Sequence, residues 1–581
     1  MRRRRSLLLV ALAGVCGLGA SCHDDKQACI ALGRRIGEAP SLADARPRPP
    51  QLPVLLTSGD PDRPGQPSEA RAPEYVVVGL PPDLSDEERK QVREERLDFS
   101  GAKYQLEPLD VREETPPVLE VPADDPAQAH PEWALEVIGY DAALRRLDER
   151  RRATGRPPVA EAPPGTGIVV GHPDTGHTFH QALGQFEFGP AHDGAPRTRV
   201  RPRDGYGFRD CNCNTYDLEL FGLTSGLRDP RHGTATSSVI VGPYAHTSAE
   251  PNALAMRGVA PGAELIPLRT NTGVIIGEAR ALQLAMAIRH AVSPAVSRVG
   301  FTEAAWADSC IRAKEECRRG RVGDVCSLVA RPAQVISISL GGPRDLIGRA
   351  FPFLEKAMRL AEAQGVIVVA AAGQGPEGGV GKALVKAIHG QGVVYPAAFD
   401  SAFGVAASNI KGRPWTATFR GPEVDVTAPG EGVWNAKFEG RTAEAQPTVA
   451  PGKGTSFSTA LTAGVAALWL DYHGRESVAA TYGVAAVPSV FKWSVVTHGF
   501  DTPAQLCEKA RALNLAYADG ICQGSSEPWN TQQFGPGLLD LDKLLAAPLP
   551  TRQELCAFVR DGIGGRWKRS AADAALICPG T

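Results

Sequence analysis

The sequence predicts an α/β protein in three layers, with a mostly parallel central sheet and helices on both faces. Two observations carry this reading. From Trp133 onward, short apolar segments of strand length alternate with amphipathic stretches of helical period. Strands buried on both faces read as continuous apolar runs, and the helices between them supply the crossovers of a parallel sheet. In addition, residues 452–470 (GKGTSFSTALTAGVAALWL) open with a tight small-residue corner and continue into an apolar run. Phe457, Leu461, Val465, Leu468, Trp469 and Leu470, with Ala and Gly between them, predict a helix buried on most of its faces and closed by Asp471. The run is too short for a bilayer span.

In chain order, Arg2 to Arg5 form a basic n-region, and Leu7 to Ala20 a short apolar segment ending in small residues. Residues 1–21 therefore read as a secretory signal, outside the fold. The chain is expected to be exported, secreted or held at the cell envelope, where disulfides can form. Cys22 follows Gly19-Ala20-Ser21, a box similar to that of bacterial lipoproteins except that Gly19 stands where a larger aliphatic residue is usual. A lipid anchor at Cys22 and plain signal cleavage both stay open. Residues 22–72 are rich in Pro, Arg and Asp and read as a linker. Residues 73–125 have strand–helix–strand texture: Tyr75 to Val78, a charged helix capped by Ser85 with Glu88 three residues on, then Val118 and Val121.

Residues 130–547 carry the predicted core. WALEVIGYDAALRRL reads as one amphipathic helix. Strands are expected at 168–171, 335–340, 366–372, 393–398, 403–407 and 424–426, and helices at 278–292 and 354–364. A last helix follows Gly535-Pro536-Gly537, and residues 548–581 form a tail with Cys556 and Cys578. Cys507 and Cys522 lie in one insertion, Cys310, Cys317 and Cys326 in another, Cys211 and Cys213 in a third. The Cys-x-Cys pair has no second pair at ligand spacing, which favours disulfides over zinc, with the pairing open. The formal net charge of −2 gives no basic field for nucleic acid.

Three segments make chemical sense together: a strand ending in Asp174-Thr175-Gly176, His232 at the mouth of a small-residue helix, and Ser456 at the start of the buried helix. An Asp can orient a His, the His can take a proton from a Ser, and the Ser can attack a carbonyl. Asp174-Thr175-Gly176 is also the tripeptide of aspartic proteases, but a second such carboxylate is missing. Ser456 lacks the Gly-x-Ser-x-Gly setting of an α/β-hydrolase.

The order Asp, His, Ser with these flanks resembles the subtilisin-like serine proteases. Five further blocks resemble that family in the right order: WALEVIGYDAAL, Gly258 to Ala263, Ser337 to Gly342, Val424 to Gly430, and Phe534 to Asp540. The resemblance implies a subtilisin-like three-layer domain over 130–547 and a serine endopeptidase acting on protein or peptide substrates. Asp174, His232 and Ser456 would be the catalytic residues. The backbone N–H of Ser456 and the amide of Gln374 would hold the oxyanion. Ser339, Leu340, Gly341, Gly342, Ala371, Ala372 and Gly373 would flank the substrate backbone. Residues 73–125 would be a propeptide-like domain covering the cleft, a partner in cis.

The chain departs from the family pattern in three places. Gln374 stands where the family has Asn after Val369 to Gly373, on a stem longer by one methylene. Ala460 replaces a Pro four residues after the serine, and Ala235 a second His. Gln374 motivates the alternative reading, a catalytically impaired relative that binds peptides without cleaving them. His172, His177 and His180 bracket Asp174 and read as solvated loop residues rather than metal ligands. No cofactor is expected; no acidic cluster specifies the structural calcium the family often binds, so calcium stays open.

Overall fold

The strands of the central sheet are β1 (Val169–Asp174), β2 (Tyr206–Gly207), β3 (Glu264–Arg269), β4 (Val335–Ile338), β5 (Ile367–Ala371), β6 (Phe403–Ser408), β7 (Val426–Pro429), β10 (Phe500–Asp501) and β11 (Leu538–Leu539). Between them β8 (Glu431–Glu439) and β9 (Gln446–Lys453) form a separate antiparallel hairpin. The computed structural model describes residues 130–178, 180–183, 199–201, 205–209, 215, 217, 231–242, 256–292, 332–375, 392–439, 446–523 and 528–578. The expected signal, linker and propeptide-like segments, Cys22, and Cys211, Cys213, Cys310, Cys317 and Cys326 lie outside the described residues.

The sheet order is β10-β11-β7-β6-β5-β4-β1-β3-β2, and every pairing is parallel except that of β10 with β11. The Val, Ile and Ala runs that mark these strands are buried along their length. Alternate side chains leave on opposite faces. Val170, Leu265, Val335, Ile367, Val369 and Val405 pack with α2 (Tyr140–Ala153), α3 (His232–Val241) and α6 (Thr455–His473). Ile266, Leu268, Ile336, Ile338, Val368 and Ala370 pack with α4 (Glu278–Val292) and α5 (Phe351–Ala363) on the other face. This is the predicted α/β arrangement, with helices on both faces.

Local departures have local causes. The expected single helix after Trp133 is two, α1 (Trp133–Val137) and α2, because Gly139 adopts φ 71° between them. No strand forms over 393–398; Tyr395 makes one isolated bridge, to Gly342, and Pro396 brings no N–H to continue a ladder. Helix α6 does not stop at Asp471 but runs to His473. The Asp471 carboxylate is buried against the guanidinium of Arg151 at 2.5 Å and that of Arg156, so its charge is compensated inside the core. The C-terminal segment is folded against the domain rather than trailing from it. Its α7 (Arg552–Asp561) and α8 (Ala571–Ile577) are joined by the Cys556–Cys578 disulfide, and Cys507 pairs with Cys522. Arg569 binds Glu362 at the end of α5, and Trp567 Nε1 donates to Asp425 Oδ1 at 2.7 Å.

The topology fixes where chemistry can occur. The chain builds β2 and β3 on one side of β1, then returns to place β4, β5, β6 and β7 on the other. The C-terminal ends of β1 and β4 therefore flank a switch point, the usual crevice for ligands in open α/β sheets. Asp174 ends β1, Ser339 follows β4, and Gln374 follows β5.

Candidate active site

Asp174 is fully buried. Its Oδ1 accepts the Nδ1–H of His232 at 2.7 Å and the N–H of Thr175 at 2.7 Å; its Oδ2 accepts from the Thr236 hydroxyl at 3.3 Å. Burial alone would push this carboxyl up, but the facing His232 and these hydrogen bonds outweigh it and hold it below the usual carboxylate range. Asp174 is thus an anion aimed at Nδ1. A carboxylate only accepts, so Nδ1 carries the hydrogen and Nε2 is left as the basic nitrogen.

Two glycines bring these groups together. Gly176 has φ 111°, a conformation closed to most side chains, and turns the chain after Asp174. A Cβ on Gly233 would lie 2.0 Å from Gly176 O, so only glycine lets the start of α3 seat His232 against the end of β1.

Ser456 is the second residue of α6 and is 9% exposed. Its Oγ lies 3.5 Å from Ser339 O, and Ser339 Oγ donates back to Ser456 O at 3.0 Å. His232 and Ser456 open into one cleft, walled also by Arg231, Val274, Gln374, Lys437, Lys453 and Phe457. The hairpin β8–β9, which supplies Lys437 and Lys453, is not anticipated in the sequence reading, although EGVWNAKFE alternates with strand period. The sequence does not point to Thr236 as a partner of Asp174, and it reads Ser339 as a substrate-flanking residue rather than as a hydrogen-bond partner of Ser456; both contacts act across chain separations of 60 residues or more.

Gln374 stands at the cleft wall with its amide anchored. Its Oε1 accepts the N–H of Thr455, the first residue of α6, at 2.8 Å. Gly454 offers no side-chain cap, so Gln374 caps this helix from another strand. With the oxygen engaged, Nε2 is the donor this side chain has left for the cleft.

The segments expected to flank a substrate lie beside this site, but several of their main-chain groups are already taken. Gly341 N–H donates to Val274 O, and its carbonyl accepts from Ile276 N–H, both at 3.0 Å. Gly342 exchanges both bonds with Tyr395. The Ala372 and Gly373 carbonyls accept from Val394 and Phe419, and Ala371 is inside the β5–β6 ladder. Val274 to Ile276 and Tyr395 thus engage the backbone of Gly341 and Gly342. Ser339 and Leu340, both buried, are the members of that segment nearest Ser456.

The three flanking histidines are not solvated, contrary to expectation. His172, His177 and His180 are buried and hydrogen-bonded to Thr236, to Thr215 O, and to the carbonyls of Lys437 and Thr448. Among the described residues no group of three His, Cys, Asp or Glu is placed to hold a metal. Burial depresses His172 and His180 to about 4 and His177 to about 3, and likewise His473 on α6 to about 4. These groups bind a proton more readily unfolded than folded, so stability falls with pH once it drops below about 6.5, where the unfolded chain begins to take up the extra protons. Each unit of depression carries about 1.4 kcal/mol. The urea midpoint should therefore drop steadily between about pH 6.5 and pH 4. A midpoint constant over that range would show that the buried imidazoles are not held neutral.

Comparison with known proteins identifies a family for the chain. The family model for the Subtilase family matches residues 165–482, more than half of the 581-residue chain. No curated protein matches the chain. Among solved structures, the MycP3 protease from the type VII (ESX-3) secretion system is 20% identical, with 73% of this chain and 90% of that chain covered and a TM-score of 0.39. Fervidolysin from Fervidobacterium pennivorans, a keratinolytic enzyme related to subtilisin, is 19% identical over 75% of this chain and 49% of that chain, with a TM-score of 0.41. With TM-scores this low, the assignment rests on the family match together with the sheet topology and the geometry above. The chain belongs to the subtilase family.

Proposed function

We propose that this subtilase is an exported serine endopeptidase that cleaves peptide bonds through an acyl-enzyme. The observation that carries the reading is the buried Asp174 carboxylate 2.7 Å from His232 Nδ1, in one cleft with Ser456 at the start of a helix. Ser456 Oγ attacks the scissile carbonyl carbon, and His232 Nε2 takes its proton. Asp174 keeps Nδ1 protonated and stabilises the imidazolium. The oxyanion is held by the Ser456 N–H at the positive end of α6 and by Gln374 Nε2. The C–N bond then breaks, and the amine leaves with the proton from His232. Water, deprotonated by His232, hydrolyses the ester to a carboxylic acid and restores Ser456. Export is supported by Arg2 to Arg5 and the apolar segment after them, and residues 73–125 are read as the propeptide. Among the described residues no helix is long and apolar enough to cross a membrane.

Ser456→Ala should abolish hydrolysis of a fluorogenic peptide while leaving the thermal midpoint close to wild type. Wild-type turnover in the purified variant would overturn the assignment, and a wild type that binds but never cleaves would favour the peptide-binding alternative.

A further inference from the structure

His172 lies two residues before Asp174 on β1, on the strand face turned to α3 and α6 with Val170. The opposite face, at Gly171, meets Ala291 of α4. A strand residue at that place in a buried sheet has every reason to be aliphatic. The imidazole is 1% exposed and touches side chains of α3 at both nitrogens. Its Nε2 is 3.0 Å from Thr236 Oγ1, and its Nδ1 is 3.4 Å from Ser237 Oγ.

Thr236 connects this histidine to the site. Its hydroxyl oxygen has three acceptors in reach: Asp174 Oδ2 at 3.3 Å, His232 O at 3.1 Å and Gly233 O at 3.3 Å. It has one proton to give. A helical threonine ordinarily gives it to a carbonyl three or four residues back. Here the carboxylate is the stronger acceptor, because it is charged and enclosed in a low dielectric. A donor on the far side of the hydroxyl favours that direction further, since successive hydrogen bonds polarise one another. Ser237 O–H donating to Nδ1 selects the tautomer with hydrogen on Nε2, and Nε2–H is then that donor.

We propose that His172 is a positioning residue of the Asp174–His232 pair: its Nε2–H donates to Thr236 Oγ1 and so commits the Thr236 hydroxyl proton to Asp174 Oδ2. The proposal rests on the serine-protease reading above. A single chain then runs from Ser237 through His172, Thr236 and Asp174 to His232. Both carboxylate oxygens are held, Oδ1 by His232 and Thr175 and Oδ2 by Thr236, so the carboxylate cannot rotate away from Nδ1. Part of its charge is drawn to Oδ2, which keeps His232 less basic than a carboxylate held on one side would make it.

The charged and titratable groups around His172 are Asp174 on its own strand, His232 on α3, His177 beyond the turn, and Arg269 on β3, whose Nε donates to Thr175 O. Strand β4 and residues 455–470 of α6 bring no titratable side chain. Burial holds His172 itself at about 4, so it stays neutral between pH 5 and 9. The acidic limb of activity therefore reports His232, and a displacement of that limb reports the carboxylate behind it.

The test uses the full chain as expressed, with two readouts: kcat and KM on a tetrapeptide p-nitroanilide, and the rate of inactivation by a rhodamine fluorophosphonate between pH 5 and 9. The variants are His172→Val, His172→Gln, Thr236→Val and the double variant His172→Val with Thr236→Val. Removing the donor should lower kcat by about tenfold, the weight of one hydrogen bond to a charged group, with KM unchanged within about twofold. The apparent pKa of the inactivation rate should move up in His172→Val, because the carboxylate charge facing His232 is no longer shared. His172→Gln, which keeps an N–H donor on a flexible stem, should recover most of both effects. The double variant should be no worse than Thr236→Val, since the two residues act in series. If His172→Val does not fold, His172→Gln and Thr236→Val decide the question on the same pH profiles. A purely structural histidine would lower the thermal midpoint but leave the pKa of the inactivation rate in place, and that result overturns the proposal. So does an additive double variant. Ser456→Ala separates the two levels: if it stays active, the protease reading fails first; if it is dead and labelling of the wild type is normal, an unmoved pH profile in His172→Val overturns this inference alone.

Discussion

Asp174→Asn should lower kcat by about 10⁴, a size known from triad proteases of the trypsin type and adopted here, with little change in fold. The reason lies in the donor pattern. In wild type, Asp174 Oδ1 accepts both the His232 Nδ1–H and the Thr175 N–H at 2.7 Å, and Oδ2 accepts from Thr236. With Thr175 and Thr236 both donating, the two carboxylate positions are acceptor sites. An asparagine amide must place its NH₂ on one of them. Facing His232, it donates to Nδ1 and forces the hydrogen onto Nε2, which can then no longer take the serine proton. Facing Thr236, it turns the Thr236 proton to the His232 or Gly233 carbonyl and leaves a neutral amide oxygen, without the carboxylate charge, opposite Nδ1. Either way the base is lost or weakened while the volume is kept. Measuring kcat at pH 8 for the variant against wild type checks this. Activity within about tenfold of wild type would show that Asp174 does not set the tautomer of His232.

Gln374→Ala should lower kcat by about 10²–10³, or about 2.7–4 kcal/mol, with KM nearly unchanged, because the lost donor acts on the oxyanion rather than on bound substrate. The longer stem of Gln374 raises the question of whether its amide reaches the serine side of the cleft. The structure shows the amide brought to the start of α6, with Oε1 on Thr455 N–H at 2.8 Å. This bond orients the amide, leaving Nε2 as the end able to donate. Gln374→Glu is the sharper variant. It keeps an acceptor for Thr455 but replaces the donor with a negative charge, so it should fall below Gln374→Ala. Gln374→Asn shortens the stem and should lose the Thr455 contact. Equal kcat within about twofold for wild type and all three variants would remove Gln374 from the oxyanion site.

These residues were legible in the sequence to different depths, for physical reasons. Asp174, His232 and Ser456 are legible as an ordered set: a lone Ser before an apolar run reads most simply as a helix cap, and the Asp and His junctions elsewhere in the chain are what change that reading. The helix at 278–292 and the buried helix from Thr455 came from periodicity and composition alone. Gln374 reads as an amide after the β5 run, but its hold on Thr455 spans 81 residues and has no sequence signal. His172, His177 and His180 read as solvated because nothing local in the sequence shows that α3, the chain at Thr215 and the β8–β9 hairpin, respectively, come to bond them. The C-terminal segment read as a tail, yet Arg569 finds Glu362 across 207 residues. The occupied backbone of Gly341 and Gly342 depends on two other segments, Val274 to Ile276 and Tyr395, arriving at the same edge.

Reaction with a fluorophosphonate followed by peptide mapping reads the activated serine directly, without a known substrate. The full chain should carry one adduct, on Ser456 Oγ, and labelling should vanish in Ser456→Ala and fall to background in His232→Ala. An unlabelled wild type, or an adduct on a different serine that persists in Ser456→Ala, would contradict the assignment of Asp174, His232 and Ser456 as one catalytic unit.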